Sequence, residues 1–180
     1  DGQDGQDGQV EILKRDHFHK VNGQAIDFNR DYYAPFALKY AKAINAINSN
    51  WAICVDDVIF PYEHDLPNLK EYPEISWING SHWYDEVTLA KKKYIPFVGL
   101  KDRKVVLGRR KVKKAFRETL AEKIEATHTH YGTAPTLLGE FGIPFDMNKA
   151  KAYRTRNFKY QIKALDRCLQ AAESNLLGYT

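Results

Sequence analysis

The chain has 180 residues, which is enough for one domain with a sizeable core. Hydrophobic residues make up 43% and aromatic residues 13% of the chain, so an intrinsically disordered protein is excluded. The longest apolar run, residues 51–55, is far shorter than the roughly 20 residues of a membrane-spanning helix. The formal net charge is only +4 and no nucleic-acid-binding motif accompanies it, so no nucleic-acid partner is predicted.

The predicted elements alternate along the chain after a low-complexity start. Residues 1–9 repeat Asp-Gly-Gln three times and predict a disordered segment, whereas residues 10–180 are predicted to form one domain. Residues 10–28 predict short strands or loops around an Asn22-Gly23 turn, and Asp31 is the predicted N-cap of the first helix. Helical spacing of apolar residues predicts helices over residues 32–48, 105–131 and 158–174. Strands are predicted over residues 51–56, 75–85, 135–141 and 176–180, and loops over residues 60–73 and 86–103.

This alternation of helices and apolar strands predicts an α/β fold in which helices cover a parallel sheet. A doubly wound sheet and a (β/α)₈ barrel both fit. A whole barrel typically needs ~250 residues, so four strands would form about half of one. Polar residues lie at the C-terminal ends of the predicted strands, at Asp56, at Asp57, at residues 82–85 and at Glu140. In both architectures this edge of the sheet is the functional one.

The two cysteines indicate the redox environment. Cys54 and Cys168 lie in an apolar strand and a helix, which predicts two buried thiols and a reducing, cytoplasmic location.

Two pairs of histidines are candidate metal ligands. His128 and His130 lie on a predicted helix, where side chains two residues apart point in different directions. The pair at residues 17 and 19 lies in loop-like sequence without further ligands nearby. No metal and no cofactor is predicted.

Glu140 is the candidate catalytic residue. It comes after an apolar strand and lies between Gly139 and Gly142. Glycines allow a substrate or neighbouring backbone to approach closely. A carboxylate satisfied by backbone amides or an arginine is the alternative. His82 and Tyr84 end the preceding strand, where they could position a carboxylate and stack on a sugar ring, or else simply pack in the core.

Two of these stretches together carry a family resemblance. "GSHWYD" (80–85) followed by "PTLLGEFG" (135–142) resembles glycoside hydrolase family 5, which comprises retaining β-glycosidases with a (β/α)₈ TIM barrel. The upstream "LKRDHFHKVNGQAIDFNRDYYAPFALKYAKAI" (13–44) resembles the endoglycoceramidase-related branch, which acts on glucosylated sphingolipids or sterols. The resemblance covers residues 10–180 and implies the C-terminal half of a barrel, roughly strands 5 to 8.

The resemblance implies a role for each matching residue. Glu140 would be the nucleophile, Tyr84 would donate a hydrogen bond to it, and His82 would line the −1 subsite. Asp56 falls where the fifth strand of the family presents a carboxylate, often Glu. In a non-catalytic, carbohydrate-binding alternative, Trp83 and Tyr84 would form a platform on which a sugar stacks. The acid/base of the family is the Glu of an Asn-Glu pair on the fourth strand, and this chain contains no Asn-Glu dipeptide. The chain alone is therefore predicted to be inactive.

Three functions follow from these patterns. The first is part of a β-glucosidase that acts on a glycoside, preferably a glycolipid such as glucosylceramide or a steryl glucoside. The second is a non-catalytic carbohydrate-binding remnant of that fold. The third is a basic surface-binding α/β domain, suggested by nine Lys and Arg residues between positions 101 and 117. Those residues also suggest a weak contact with a membrane surface, and no obligate protein partner is inferred.

Overall fold

A computed structural model describes residues 2–4, 10–15, 17–56 and 66–180. The strands are β1 Gly2–Asp4, β2 Val10–Ile12, β3 Lys20–Val21, β4 Gln24–Ala25, β5 Ile53–Val55, β6 Trp77–Tyr84, β7 Val98–Lys101, β8 Lys104–Leu107, β9 Thr136–Gly142 and β10 Gly178–Tyr179. The helices are α1 Ala34–Asn45, α2 Glu86–Lys91, α3 Arg109–Tyr131, α4 Met147–Thr155 and α5 Lys159–Glu173.

The central sheet has four parallel strands in the order β10-β9-β6-β5. The connections from β6 to β9 and from β9 to β10 run through helices, as is usual for the crossover between parallel strands. The prediction of an α/β fold with a parallel sheet is therefore confirmed. Three antiparallel pairs, β1-β2, β3-β4 and β7-β8, accompany the sheet.

The N-terminal region agrees with its predicted turn but not with its predicted helix start. Asn22 and Gly23 have φ values of 51° and 81° and join β3 to β4 as a two-residue hairpin. Asp31 is not an N-cap, because it lies inside a π-helical turn, Asn29–Tyr33, that precedes α1. Asp27 takes that role instead, since its Oδ1 accepts a 2.9 Å hydrogen bond from the Arg30 amide. Of the low-complexity segment, only residues 2–4 are described.

Residues 86–103, predicted as a loop, instead contain α2 and the greater part of a hairpin. Asp85 caps α2 by accepting a 3.3 Å hydrogen bond from the Thr88 amide. β7 and β8 form an antiparallel hairpin, and its two-residue turn is Asp102-Arg103, which both have left-handed φ values. Because this hairpin extends to residue 107, α3 begins at Arg109 rather than at residue 105.

Two apolar clusters cover one face of the sheet. The first packs α1 against β5 and β6 and includes Ala41, Ile53 and Trp77. The second packs α3 and α5 against β9 and includes Phe116 and Leu138. The opposite face of β5 carries Cys54, which is exposed, between the buried residues Ile53 and Val55. The prediction that both thiols are buried is therefore wrong for Cys54, although both cysteines are free.

This difference predicts unequal thiol reactivity. Burial raises the pKa of the Cys168 thiol to about 12. Partial burial and the nearby Asp56 carboxylate also raise the pKa of the more accessible Cys54 thiol, but by a smaller amount. In the native chain at pH 8, we expect Ellman's reagent to react with one thiol first and with the second only after denaturant is added. Cys54→Ser should remove the first reaction. Equal rates for both thiols would contradict the burial of Cys168 on α5.

Candidate active site

Three strand ends of the parallel sheet bring four predicted site residues to one edge. β5 ends before Asp56, β6 carries His82 and Tyr84, and β9 carries Glu140. Because parallel strands share the direction of their carboxyl ends, these residues are neighbours although they are up to 84 positions apart in sequence. The sheet therefore brings these four residues to the same edge.

A β-bulge turns Glu140 toward this group. Ser81 pairs with Leu138, but the next residue, His82, pairs with Glu140, so Gly139 is an additional residue in β9. In a regular strand, side chains two positions apart share a face, so Glu140 would lie with Leu138 on the helix-covered face. The bulge instead puts the Glu140 carboxylate opposite His82.

Glu140 is held from two sides by the end of β6. The Tyr84 hydroxyl donates a hydrogen bond to Glu140 Oε1, and His82 Nδ1 lies 3.4 Å from Glu140 Oε2. This hydrogen bond to the carboxylate raises the pKa of Tyr84, with a smaller contribution from burial, so the phenol stays a donor at neutral pH. The Glu140 side chain is still 54% exposed, so it remains reachable by a ligand.

His82 lies between two carboxylates. Its Nε2 atom is 3.7 Å from Asp56 Oδ1, while its Nδ1 atom faces Glu140 without hydrogen-bond alignment among the described residues. The His82 side chain is only 17% exposed. The hydroxyl of Tyr33 donates a 2.6 Å hydrogen bond to the backbone carbonyl of Asp56 and fixes the end of β5. Tyr33 was not a predicted site residue, because its role depends on a contact 23 positions away.

The closest approach to a glycine near the site is at Gly80 rather than at Gly139. A Cβ atom on Gly80 would lie 2.5 Å from Asp56 Oδ1 and 2.7 Å from Cys54 Sγ, so both of these side chains would have to shift. A Cβ atom on Gly139 would meet nothing closer than the Gly80 carbonyl oxygen at 3.4 Å. The close approach expected at the glycines beside Glu140 thus occurs one strand away, beneath Asp56.

Trp83 is not brought into this group. Its ring packs edge-to-face on Phe116 of α3, with centroids 5.0 Å apart, on the face of the sheet opposite to Tyr84 and His82. Alternation along β6 explains the difference, because neighbouring residues of a strand point to opposite faces. The predicted sugar contact of Trp83 is not supported by this placement.

A buried ion pair supports the end of β6 and was missed by the sequence analysis. Asp85 directly follows Tyr84 and pairs with Arg167 of α5, and the two side chains are 1% and 3% exposed. Asp85 also accepts hydrogen bonds from the amide and hydroxyl of Thr88, so it anchors α2 as well. The pair joins residues 82 positions apart, and no local pattern marks them as partners.

Two negative observations apply to the described part of the chain. No three His, Cys, Asp or Glu side chains within it converge in a way that could hold a metal ion. None of its helices combines the length and the apolar character needed to cross a bilayer. Asp57, the other carboxylate predicted at the end of β5, lies outside the described residues.

Comparison with known proteins finds sequence similarity to glucosylceramidases and to an ergosteryl-beta-glucosidase. The chain is 28% identical over 95% of its length to a glucosylceramidase from Cryptococcus neoformans var. grubii, and 36% identical over 94% of its length to ergosteryl-beta-glucosidase from Saccharomyces cerevisiae. The matched segments are 25% and 23% of those proteins, so the chain spans about a quarter of their length. No family model matches the chain. The predicted resemblance to glucosidases of this kind is confirmed.

The fold is also found in a solved structure. A crystal structure of Cryptococcus neoformans sterylglucosidase 1 matches 94% of this chain with a TM-score of 0.81, at 24% sequence identity. The match covers 26% of that protein. The likeness supports the arrangement of helices and parallel strands described above.

Proposed function

We propose that this chain is part of a retaining β-glycosidase that hydrolyses a glucosylated lipid, and that residues 10–180 form roughly strands 5 to 8 of its (β/α)₈ barrel. The observation that carries the proposal is the contact of Glu140 with Tyr84 and His82 at the carboxyl edge of a parallel sheet. Barrel enzymes hold their catalytic groups at this edge. The names of the relatives, glucosylceramidase and ergosteryl-beta-glucosidase, support the choice of substrate class.

Glu140 is the nucleophile in this proposal. Its carboxylate attacks the anomeric carbon, the glycosidic oxygen leaves with a proton from an acid, and water later hydrolyses the glycosyl ester. Tyr84 positions the attacking carboxylate through its hydrogen bond to Oε1. His82, held between Glu140 and Asp56, lines the floor of the sugar site.

A retaining enzyme needs a second carboxyl group ~5–5.5 Å from the nucleophile. Asp56 faces the same site, but its side chain is 60% exposed and lies against the Nε2 side of His82, whereas Glu140 lies against the Nδ1 side. The Tyr84 hydroxyl donates its hydrogen bond to Glu140 and not to Asp56. We assign the acid/base to a Glu outside this sequence, as the family resemblance implies. In this proposal the protein works in the cytoplasm, and it uses no cofactor.

The assignment predicts that the 180-residue chain alone does not hydrolyse unactivated glucosides. Loss of general acid catalysis typically slows such reactions by 10²–10⁴-fold, because the leaving alkoxide departs without a proton. Release of sterol from a steryl glucoside measures this directly. Turnover by the chain alone would show that its own carboxylates complete the pair, with Asp56, Asp57 and Glu63 as the candidates.

A chimera tests whether the segment is functional. In this chimera, the 180-residue chain replaces the matching quarter of the Saccharomyces cerevisiae ergosteryl-beta-glucosidase. The rest of the yeast enzyme then supplies the second carboxyl group. We expect the chimera to hydrolyse ergosteryl glucoside. A folded chimera that binds glucoside without turnover would instead favour the non-catalytic carbohydrate-binding remnant.

A further inference from the structure

Two adjoining grooves run between α3 and α5 and share no lining residue with the Glu140 site. The first has a volume of 360 Å³ and is lined by Arg110, Lys113, Lys114, Arg117, Arg167, Gln170, Ala171 and Ser174. The second has a volume of 460 Å³ and is lined by Tyr94, Pro96, Arg109, Arg110, Lys113, Lys163 and Arg167. Cationic side chains dominate both linings, and no acidic residue is among them.

The charge of the grooves is compensated only in part. The positions 110, 113, 114 and 117 recur at helical spacing, which places their side chains on one face of α3. Lys113 Nζ donates a 2.9 Å hydrogen bond to neutral Gln170, and Lys114 lies 3.4 Å from Glu118. Arg167 is already paired with Asp85. Aligned cations of this kind generate a positive field that favours an anionic ligand.

The grooves lie toward the edge of the sheet that carries Glu140. Arg110, in the first turn of α3, lines both grooves. Arg167 lines both grooves and pairs with Asp85, the residue directly after Tyr84. One buried ion pair therefore separates the basic grooves from the residue that holds Glu140.

Exposed apolar side chains flank the same grooves. Phe97 is 55% exposed and directly follows Pro96, which lines the second groove. The Phe97 carbonyl accepts a 2.8 Å hydrogen bond from Gly108, which lies between exposed Leu107 and Arg109. Basic side chains beside exposed apolar ones are typical of surfaces that lie in the interface of an anionic membrane.

We infer that this basic face, defined as Arg109, Arg110, Lys113, Lys114, Arg117 and Lys163, docks on a bilayer of anionic phospholipid. The phosphates of the headgroups occupy the grooves, and Phe97 and Leu107 enter the interfacial layer. Nucleic acid would use the cations but gain nothing from these apolar side chains. The further step, in which docking brings a membrane-embedded glycolipid toward Glu140, rests on the proposed function, whereas binding to vesicles does not.

The test compares vesicle binding by charge-matched variants of the full 180-residue chain. Arg110→Glu with Lys113→Glu changes residues that line both grooves. Lys39→Glu with Lys70→Glu changes two exposed lysines on α1 and near the C-terminal end of α3, with the same change in net charge. Sedimentation with equimolar phosphatidylcholine–phosphatidylserine vesicles measures affinity, and pure phosphatidylcholine vesicles are the reference. Circular dichroism checks that each variant keeps its helices.

The groove variant is expected to lose at least about 20-fold in affinity, because each basic residue near an anionic surface contributes roughly fivefold. The Lys39/Lys70 variant should stay close to the wild type. Phe97→Ser with Leu107→Ser should weaken vesicle binding but leave any binding to duplex DNA unchanged. Glu140→Gln should bind vesicles like the wild type, which separates docking from catalysis.

Several outcomes would overturn the inference. Equal losses in the two charge variants would show that net charge, and not the grooves, drives binding. Competition by millimolar inorganic phosphate would identify a site for free phosphate. Binding to duplex DNA that is tighter than binding to vesicles, and insensitive to Phe97→Ser, would identify a nucleic-acid surface.

Discussion

Glu140→Gln is expected to abolish glucoside hydrolysis by the chimera, with a loss on the order of 10⁴-fold or more, as when other catalytic nucleophiles are removed. The amide is nearly isosteric but too weak a nucleophile to form the glycosyl ester. Sugar binding should survive, because Tyr84 and His82 still frame the site. Initial rates on ergosteryl glucoside, together with calorimetric binding of glucoside, measure the two effects separately.

Tyr84→Phe is the matched control for this substitution. It removes only the hydroxyl that donates to Glu140 Oε1, so the carboxylate remains but is no longer fixed. Loss of one positioned hydrogen-bond donor in an active site typically lowers kcat by 10²–10³-fold. An activity of Tyr84→Phe equal to that of the unsubstituted chimera would show that the contact has no catalytic importance.

Covalent trapping identifies the nucleophile directly. With a 2-deoxy-2-fluoro-glucosyl fluoride, a Glu140 oxygen forms a bond to the anomeric carbon while fluoride leaves from it, and the fluorine at C2 slows the later hydrolysis. Peptide mapping should find the added mass on Glu140. The Asp56→Asn chimera should still be labelled. A label on Asp56, or on any carboxylate of the host, would refute the assignment of Glu140.

Much of the site could be predicted from the sequence because parallel strands converge at their carboxyl ends. Apolar stretches identified β6 and β9, and the polar residues that end them had to lie at one edge. The face on which each side chain lies was harder to predict. Trp83 is between His82 and Tyr84 in sequence but points to α3, and Glu140 reaches His82 only because of the bulge at Gly139. Bulges depend on pairing with another strand and leave little local signal.

The elements that were missed have weak local patterns. α2 spans six residues, and the β7–β8 hairpin turns through Asp102 and Arg103 without the glycine that usually marks such a turn. α4 contains Asn148 and its two successors with left-handed φ values, so it lacks regular helical periodicity. The pair of Asp85 and Arg167 depends on the packing of α5 against the end of β6, which only the fold determines.

Arg167→Ala is expected to lower the free energy of unfolding of the chain by about 3–5 kcal/mol, because it leaves Asp85 as an uncompensated buried charge. The substitution also removes packing, since the guanidinium lies 4.8 Å from the centroid of the Phe116 ring and 5.1 Å from that of Tyr94. Urea unfolding followed by circular dichroism measures the loss. Arg156→Ala, at an exposed position beyond α4, is the control and should change stability by less than about 0.5 kcal/mol.

A double-mutant cycle separates the ion pair from the packing. Asp85→Asn keeps an N-cap for α2, because asparagine also accepts the hydrogen bond from the Thr88 amide. Arg167→Met keeps much of the apolar contact with Phe116 and Tyr94. If the charges are coupled, the double variant should be more stable than the sum of the two single losses predicts, since neither charge is then left alone. Strictly additive losses would show that Arg167 stabilises the end of β6 by packing alone, and that the Asp85 charge does not depend on it.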